Sequence, residues 1–293
     1  MANDTLGQTR GLWDLVEPCC GSAALAYHLI GAKALLPYQG SKWKWRRELE
    51  TVVRELNFQG EPRALHLSDP SPWPAVHGQV LDPTRRGAVL KRLRQMNTHD
   101  PREVFHALQG EPVPSTGQWA ADYVAEYLFL QRLSFRGKAV GVIDGCWRSP
   151  GFSSSSAYGT PGSARFSEVK PQVPAMIRRL EDCRAPLDVL VYSAQRRAGP
   201  PAAAHVGPRP TCRTLVYVDP PYKSTTKYPD GDLSRAEVVR HALAYREQGC
   251  AVIVSEAEPL DLPGWKTKRL GQRGPGDDSP FKGKHSEWVT YAG

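Results

Sequence analysis

Apolar positions along the chain cluster into short runs that end in small or acidic residues, and stretches of helical spacing separate them. Trp13-Asp14-Leu15-Val16-Glu17 is the first such run; it passes through Pro18-Cys19-Cys20-Gly21-Ser22 into a helical stretch that begins near Ala23. This predicts a strand, a tight turn and a helix N-terminus, which leaves backbone N–H groups beside the carboxyl end of a strand. Leu36 to Lys42 reads as a turn, and Leu49, Val52, Val53 and Leu56 then recur at helical spacing. Ala64 to Asp69 predicts a short buried strand ending in a carboxylate. Further strands are expected at Leu187–Tyr192, Thr214–Val218, Ala251–Val254 and Glu287–Tyr291. Between the second and third of these, Ser234 followed by Glu237 forms a capping box, and Gly249 stands where a helix C-terminal glycine belongs. Strands alternating with helices at crossover spacing predict an α/β fold with a mostly parallel sheet.

The middle of the chain breaks this alternation. From Pro70 to Thr116 it is punctuated by prolines and dense in arginine, and Gln118 to Arg132 then reads as a helix with Trp119, Tyr123, Tyr127 and Leu130 on one face. That aromatic stripe is read either as core or as a stacking platform. Gly151 to Gly162 is a serine- and glycine-rich loop by composition, and Arg196 to Pro210 is a second loop or linker. The expected organisation is a scaffold of residues 1–69 and 186–293 interrupted by an insertion at 70–185.

A chain of 293 residues with 40% hydrophobic and 23% charged positions can bury a sizeable core. No apolar run approaches the ~18 residues of a membrane span, so a soluble, cytosolic protein is expected. The six cysteines (Cys19, Cys20, Cys146, Cys183, Cys212 and Cys250) include no Cys-x-x-Cys pair and no zinc spacing with histidine, so they read as reduced thiols and no metal site is expected. Charge changes the picture more. The formal net charge is +8; residues 1–80 and 214–293 are each balanced, and the whole excess lies in residues 81–213, where 16 of the 19 cations are arginine. An arginine-rich segment between two neutral ones suits a polyanion-binding insertion, because guanidinium forks match phosphate geometry. The run Arg85, Arg86, Lys91, Arg92, Arg94 is read either as solvated or structural, or as phosphate-contacting.

Asp219-Pro220-Pro221-Tyr222 follows an apolar strand directly, which puts it at the carboxyl edge of the sheet, where α/β folds place ligands. Two consecutive prolines fix φ and remove two N–H donors, leaving carbonyls as acceptors. An exocyclic amine of a planar base would donate one proton to Asp219 and one to the Pro220 carbonyl, with Tyr222 stacked on the ring.

Asp219-Pro220-Pro221-Tyr222, together with Glu17-Pro18-Cys19-Cys20-Gly21 at the start of an α/β domain, resembles the Dam-type DNA adenine-N6 methyltransferases. The resemblance covers about residues 11–69 and 187–293. It implies a Rossmann-like methyltransferase sheet with an inserted basic target-recognition region, S-adenosylmethionine as cofactor, double-stranded DNA as partner, an adenine flipped out of the helix, no metal, and a cytoplasmic enzyme of bacterial or phage origin. Carried over by position, Glu17, Pro18 and Gly21 match the cofactor loop, Asp69 matches the acid that binds the cofactor ribose, and Asp219 faces cofactor and target base together with Pro220 and Tyr222. Pro37-Tyr38-Gln39-Gly40-Ser41-Lys42 is similar to the family's glycine-and-lysine motif, which implies cofactor contacts from Tyr38 and Lys42. In the family that motif precedes the glutamate-proline loop; here it follows, which reads as a local permutation that returns Lys42 to the same place. Phe129 to Gly137 is a local echo of the recognition insertion, and Arg132, Arg136 and Lys138 are its expected DNA contacts.

The departures are Cys19 where the family has phenylalanine, Ala23 where a second glycine is usual, and Gln195 where an aspartate commonly meets the cofactor adenine. Asp69 also has a plain reading as a cap or turn former. The alternatives to DNA adenine-N6 methylation are an N4-cytosine or RNA-adenine enzyme, since the same tetrapeptide serves any exocyclic amine, and a nucleic-acid-binding protein on a decayed methyltransferase scaffold.

Overall fold

The computed structural model describes residues 12–36, 41–69, 71–114, 119–135, 138–160, 170–183, 188–193, 213–220, 233–273 and 285–293. Seven strands form the main sheet: β1 (Trp13–Glu17), β2 (Ala64–Asp69), β5 (Asp188–Ser193), β6 (Arg213–Val218), β7 (Ala251–Glu256), β8 (Lys266–Arg273) and β9 (His285–Ala292). A separate hairpin is made by β3 (Gly141–Ile143) and β4 (Cys146–Arg148). The strand order is β5-β2-β1-β6-β7-β9-β8, and β9 alone runs antiparallel to its neighbours β7 and β8. This is an α/β, Rossmann-like sheet, mostly parallel. β1 is buried along its whole length, and its Leu15 lies in register with Leu65 on one side and Leu215 on the other. A parallel strand covered on both faces reads as a continuous apolar run for that reason. The chain steps outward from β1 to β2 and β5, then returns to β6 on the other side, so the order reverses between β1 and β6 and opens a crevice at their carboxyl ends.

The scaffold helices are α1 (Ala24–Leu29), α2 (Arg46–Glu55) and α9 (Arg235–Glu247). The capping box at α9 is present, with Glu237 N–H donating to Ser234 and the Ser234 N–H donating to the Glu237 carboxylate. β8 lies outside the sequence expectation. Its residues Lys-Thr-Lys-Arg-Leu-Gly-Gln-Arg carry no alternation, because it is an edge strand whose lysines blunt the edge. Lys268 pairs with Glu55 of α2 at 2.6 Å, and Tyr291 of β9 donates to the same carboxylate at 2.5 Å.

Between β2 and β5 lie α3 (Trp73–Val80), α4 (Pro83–Met96), α5 (Pro101–Leu108), α6 (Ala121–Leu133), the hairpin, α7 (Ser154–Tyr158) and α8 (Gln172–Glu181). The prolines that seemed to break this region start its helices. Asp82 and Asp100 accept from the first-turn N–H groups of α4 and α5, and Pro83 and Pro101 occupy the first helical position, where no N–H is needed. The serine-rich loop likewise contains a helical turn, α7, capped by Ser153; residues 161 and 162 lie outside the described residues. α3 packs on β2 and β5, so it belongs to the helix layer of the sheet although it falls within 70–185. α6 is buried from Val124 to Leu133 and packs against α3, α4, α5 and α8. The aromatic stripe is core: Trp119 and Tyr127 are buried and Tyr123 half-buried against the core. Ring contacts run from Trp147 of the hairpin to Trp119 at 4.9 Å, and from Tyr127 to Trp73 of α3 at 5.7 Å, which joins the insertion and the sheet into one apolar cluster.

Three arginines of the basic run pair with carboxylates, and Arg85 and Arg94 stay 61% and 57% exposed as they do so. Arg85 pairs with Asp82 at 3.2 Å, Arg92 with Glu126 at 2.9 Å and Arg94 with Glu181 at 2.5 Å, and Arg86 donates to the Cys183 carbonyl. Arg132 corrects the expectation of a phosphate contact. It is 6% exposed, donates to Gln172 of α8, and burial together with nearby Arg179 pulls its guanidinium down to about 10. Lys138 is exposed, and its carbonyl accepts from Gln131 and Ser134. Arg136 lies outside the described residues.

Trp147→Ala is expected to cost about 3–5 kcal/mol, the usual penalty for deleting a buried aromatic ring, within one cooperative urea transition followed by fluorescence and circular dichroism. Two transitions, only one of them displaced, would show that the insertion folds as its own unit.

Candidate functional site

The site is built at the carboxyl ends of β1, β2 and β6. β1 delivers Glu17, and the chain then turns through Pro18 to Ala23 with Gly21 at φ 42° and Ala23 at φ 47°. Glycine adopts this left-handed backbone freely, whereas alanine does so at a cost of roughly 1–2 kcal/mol, so the turn must be held from outside. It is. The Gly21 N–H donates to Asp69 Oδ2 at 3.0 Å, and the Cys20 N–H donates to the Ser68 carbonyl at 3.0 Å. The Pro18 carbonyl accepts from the Ser68 hydroxyl. His77 Nε2 donates to the Gly21 carbonyl at 2.8 Å, which leaves Nδ1 to accept from the Tyr27 hydroxyl at 3.1 Å and so fixes the tautomer. Burial holds the His77 imidazole down at about 4, so the ring is neutral there. Asp69 spends its other oxygen on the Ser71 N–H at 2.9 Å. It therefore forms a turn, as its plain reading had it, and clamps the Gly21 loop as well, while each carboxylate oxygen keeps a second lone pair.

Glu17 is buried and its Oε1 accepts from the Ala26 N–H of α1 at 2.9 Å. Burial pushes its carboxyl up to about 8 against the pull of that hydrogen bond, and the Asp219 charge adds to the rise. At neutral pH Glu17 is therefore mostly protonated.

Asp219 stands immediately after β6, beside buried Pro220. Lys42 Nζ lies 2.6 Å from its Oδ1 and 3.7 Å from Glu287 Oε1 of β9. The Lys42 side chain is 3% exposed, and that of Asp219 20%. The structure thus brings Lys42 into the crevice although its motif follows the glutamate-proline loop in sequence. Two contacts explain how. Ser41 caps the 3₁₀ turn Lys42–Trp45, and its hydroxyl accepts from Ser22 at 2.9 Å, which ties the turn to the Glu17 loop. Trp45 lies over Gly271 of β8, where a Cβ would fall 2.4 Å from the ring carbons; the register shift between Arg269 and Gly271 makes room for it.

Three further residues of this neighbourhood escaped sequence reasoning. Glu287 was visible only as the start of a strand. Glu256, at the end of β7, is pushed up to about 7 by burial, with Arg235 pulling the other way and Asp219 adding to the rise. His77 offered one signal, a lone histidine in an apolar helix. Below the crevice the Tyr217 hydroxyl and Ser255 hydroxyl are 2.9 Å apart and join β6 to β7. Tyr38, Pro221, Tyr222 and Gln195 lie outside the described residues. Among the described residues no group of three or more His, Cys, Asp or Glu is placed to hold a metal ion, the cysteines are free thiols, and no helix is long and apolar enough to cross a membrane.

No protein-family model matches the chain, and no curated protein matches it in sequence. Two solved structures of the rRNA methyltransferase aviRa from Streptomyces viridochromogenes are similar to it at 14% identity. One covers 96% of this chain and 76% of that one with a TM-score of 0.38, the other 97% and 78% with a TM-score of 0.37. A likeness this distant says nothing of substrate.

Two outcomes test the geometry. Between the ordinary carboxyl value of 4.5 and about 8, folded Glu17 keeps a proton that the unfolded chain releases, so its contribution to stability is full below 4.5 and is lost as pH rises through 8. Glu17→Gln, which retains the acceptor for Ala26, should remove a slope of about 1.4 kcal/mol per pH unit across that window, read from urea midpoints at pH 5 to 9. Gly271→Ala should destabilise by about 1–3 kcal/mol through overpacking against Trp45. Combining it with Trp45→Leu should recover part of that loss, and no recovery would disprove the contact.

Proposed function

We propose that the chain is an S-adenosylmethionine-dependent DNA methyltransferase that modifies the exocyclic N6 of adenine. The observation that supports this most is the convergence of Glu17, Lys42 and Asp219 at the carboxyl ends of β1 and β6, where the strand order reverses. Three sequence motifs that the resemblance links to one reaction meet at one crevice, including the motif that stands out of order.

The residues present fit the cofactor. The Gly21 turn brings backbone close to the end of β1, and Asp69, at the end of β2, retains acceptor capacity for a pair of ribose hydroxyls. Glu17, Pro18, Gly21, Lys42 and Asp69 would hold the group, with Tyr38 from the preceding turn. When bound, the cofactor supplies a methyl group on a sulfonium, already activated as an electrophile.

The protein's own task is then to present a nucleophile. Asp219 accepts a proton of the exocyclic amine in a hydrogen bond, the Pro220 carbonyl takes the other, and the nitrogen lone pair is turned toward the methyl carbon. Methyl transfer to that nitrogen is the chemistry the bound cofactor would supply, and the amine proton would leave afterwards through Asp219 to water. A strong base is unnecessary, which suits a carboxylate already engaged by an ammonium 2.6 Å away. Lys42 positions Asp219 and restrains its rotamer. In duplex DNA the target amine is paired, so the base must be extruded at a cost of a few kcal/mol that phosphate contacts and stacking on Tyr222 offset.

Incubation with mixed-sequence DNA and RNA in the presence of labelled cofactor, followed by nucleoside analysis, identifies the modified base. Asp219→Ala should lower turnover by about 10² or more, the range for a positioned proton acceptor, while leaving calorimetric cofactor binding mostly intact. Near-parental turnover in that variant would falsify the assignment, and duplex binding without cofactor binding in the parent would mark a decayed scaffold.

A further inference from the structure

Arg132 is buried, and Arg85, Arg92 and Arg94 are each paired with a carboxylate, so the exposed aromatic side chains of the insertion are the next candidates for contact with a nucleic acid. Among the described residues few large apolar side chains are exposed; Tyr158, at 48%, is one of them, and it stands beside the Phe152 ring. Phe152 is bridged through its backbone to Ser134, and the Phe135 N–H donates to the Gly151 carbonyl at 2.8 Å, so Phe135 and Phe152 stand on adjacent strands of chain. Tyr158 lies 6.2 Å from Phe152, ring to ring, and exposed His106 also lies at 6.2 Å. The guanidinium of exposed Arg102 sits over the Phe152 ring at 5.5 Å. Beneath, Phe152 packs edge-on to buried Phe105 at 5.2 Å, which seats the cluster on the core.

These rings are held, not trailing. The Tyr158 hydroxyl donates to both oxygens of Asp100 at 3.1 and 2.8 Å, and the same carboxylate caps α5. Asp100 is thereby absorbed in internal contacts, and Glu103 is the other carboxylate of that turn. A pinned, exposed aromatic face with a cation beside it suits a planar, polyanionic ligand, since aromatic stacking accepts any base and arginine adds cation–π attraction and phosphate contact.

We propose that Phe152 and Tyr158, with Arg102 and His106 beside them, form a stacking platform for unpaired nucleotides of the substrate strand. The inference rests on the reading of the substrate as nucleic acid, and it names the state in which that substrate is held. The charge of the insertion favours this occupant: residues 70–185 carry 15 cations against 10 acids, a net +5, so a second copy of the same face would be repelled and a phosphodiester strand attracted. Stacking is available only to bases out of a duplex. A site that acts on an extruded base gains from a surface that holds its neighbours unpaired.

The test is fluorescence anisotropy with the full chain and a labelled 20-nucleotide strand of mixed sequence, single or annealed to its complement. The parent should bind the single strand more tightly than the duplex. His106→Ala with Tyr158→Ala should weaken single-strand binding by about 5- to 100-fold, the worth of one stacked base, with circular dichroism unchanged. Leu243→Ala, an exposed apolar position on α9, serves as the control and should change nothing. Tyr158→Phe, which keeps the ring and loses the bond to Asp100, should fall between the two. Equal affinity of the double variant and the parent overturns the proposal, as does a parental preference for duplex. If sedimentation shows the parent self-associating and the double variant monomeric, the face is an interface between copies and the proposal fails. Anisotropy does not read methyl transfer, so a catalytically silent parent that binds single strands through these rings would refute the enzyme reading and leave the platform standing.

Discussion

An ammonium held out of water organises this molecule. Lys42 is almost fully buried, with Asp219 at 2.6 Å and Glu287 at 3.7 Å. Removing an ion from water costs several kcal/mol, and a buried pair repays that only when its geometry is held closely. Each partner comes from a different part of the chain: the turn after residue 40, the end of β6 and the start of antiparallel β9. The pair therefore couples the Lys42 turn to β6 and β9, two strands that the sheet already holds in place on either side of β7. The Ser22–Ser41 bond and the seating of Trp45 over Gly271 are the supports that keep Lys42 from swinging back to solvent. Gly271 is a consequence of the lysine as much as of the strand it interrupts.

The charge balance of the crevice is set by that ammonium. Glu17, Asp219, Glu256 and Glu287 gather near a single lysine, more negative charge than a poorly hydrated crevice can carry. The structure relieves it by protonation: burial raises Glu17 to about 8 and Glu256 to about 7. Both groups stay close to titration near neutral pH, so the field of the crevice responds to whatever charge enters it. A cation would draw protons out of the pair and an anion would add them. This is a property of the assembled crevice and of none of its residues alone.

Much of the scaffold was legible because its signals are local. β1, β2, β6 and β7 are short apolar runs ending in turn or acidic residues, and the Ser234–Glu237 capping box needs only three residues of spacing to declare itself. Strand order is not local. Nothing in Glu287 or Lys42 says that β9 will insert between β7 and β8 or that the displaced lysine will fall beside Asp219; both depend on closing the sheet. The polar edge strand β8 lacked periodicity because one side of it faces water, and α4 and α5 were hidden by Pro83 and Pro101, which read as breakers until each is seen to succeed an aspartate cap. The spelling Asp-Pro is ambiguous between turn and helix start, and only the burial of the residues after it, Val89, Leu90 and Leu93 in α4 and Phe105 and Leu108 in α5, resolves it.

The insertion shows why composition is a weaker guide to partners than position. It carries +5 of the net +8, yet Arg86, Arg92, Arg94 and Arg132 hold α4, α6 and α8 to one another and to the loop after α8. A guanidinium committed to a carboxylate or carbonyl still contributes to the long-range field, which falls off over roughly 10 Å at 0.1 M salt, but it no longer offers a fork to a phosphate. Attraction and contact are thereby separated: the field of the insertion can gather a polyanion, while the groups free to touch one are set by which side chains the packing leaves outside. Among them is the ring of Tyr158, with exposed Arg102 and His106 beside the same Phe152. An aromatic surface with a diffuse positive field favours bases over phosphates, and so favours strands whose bases are already out of the stack.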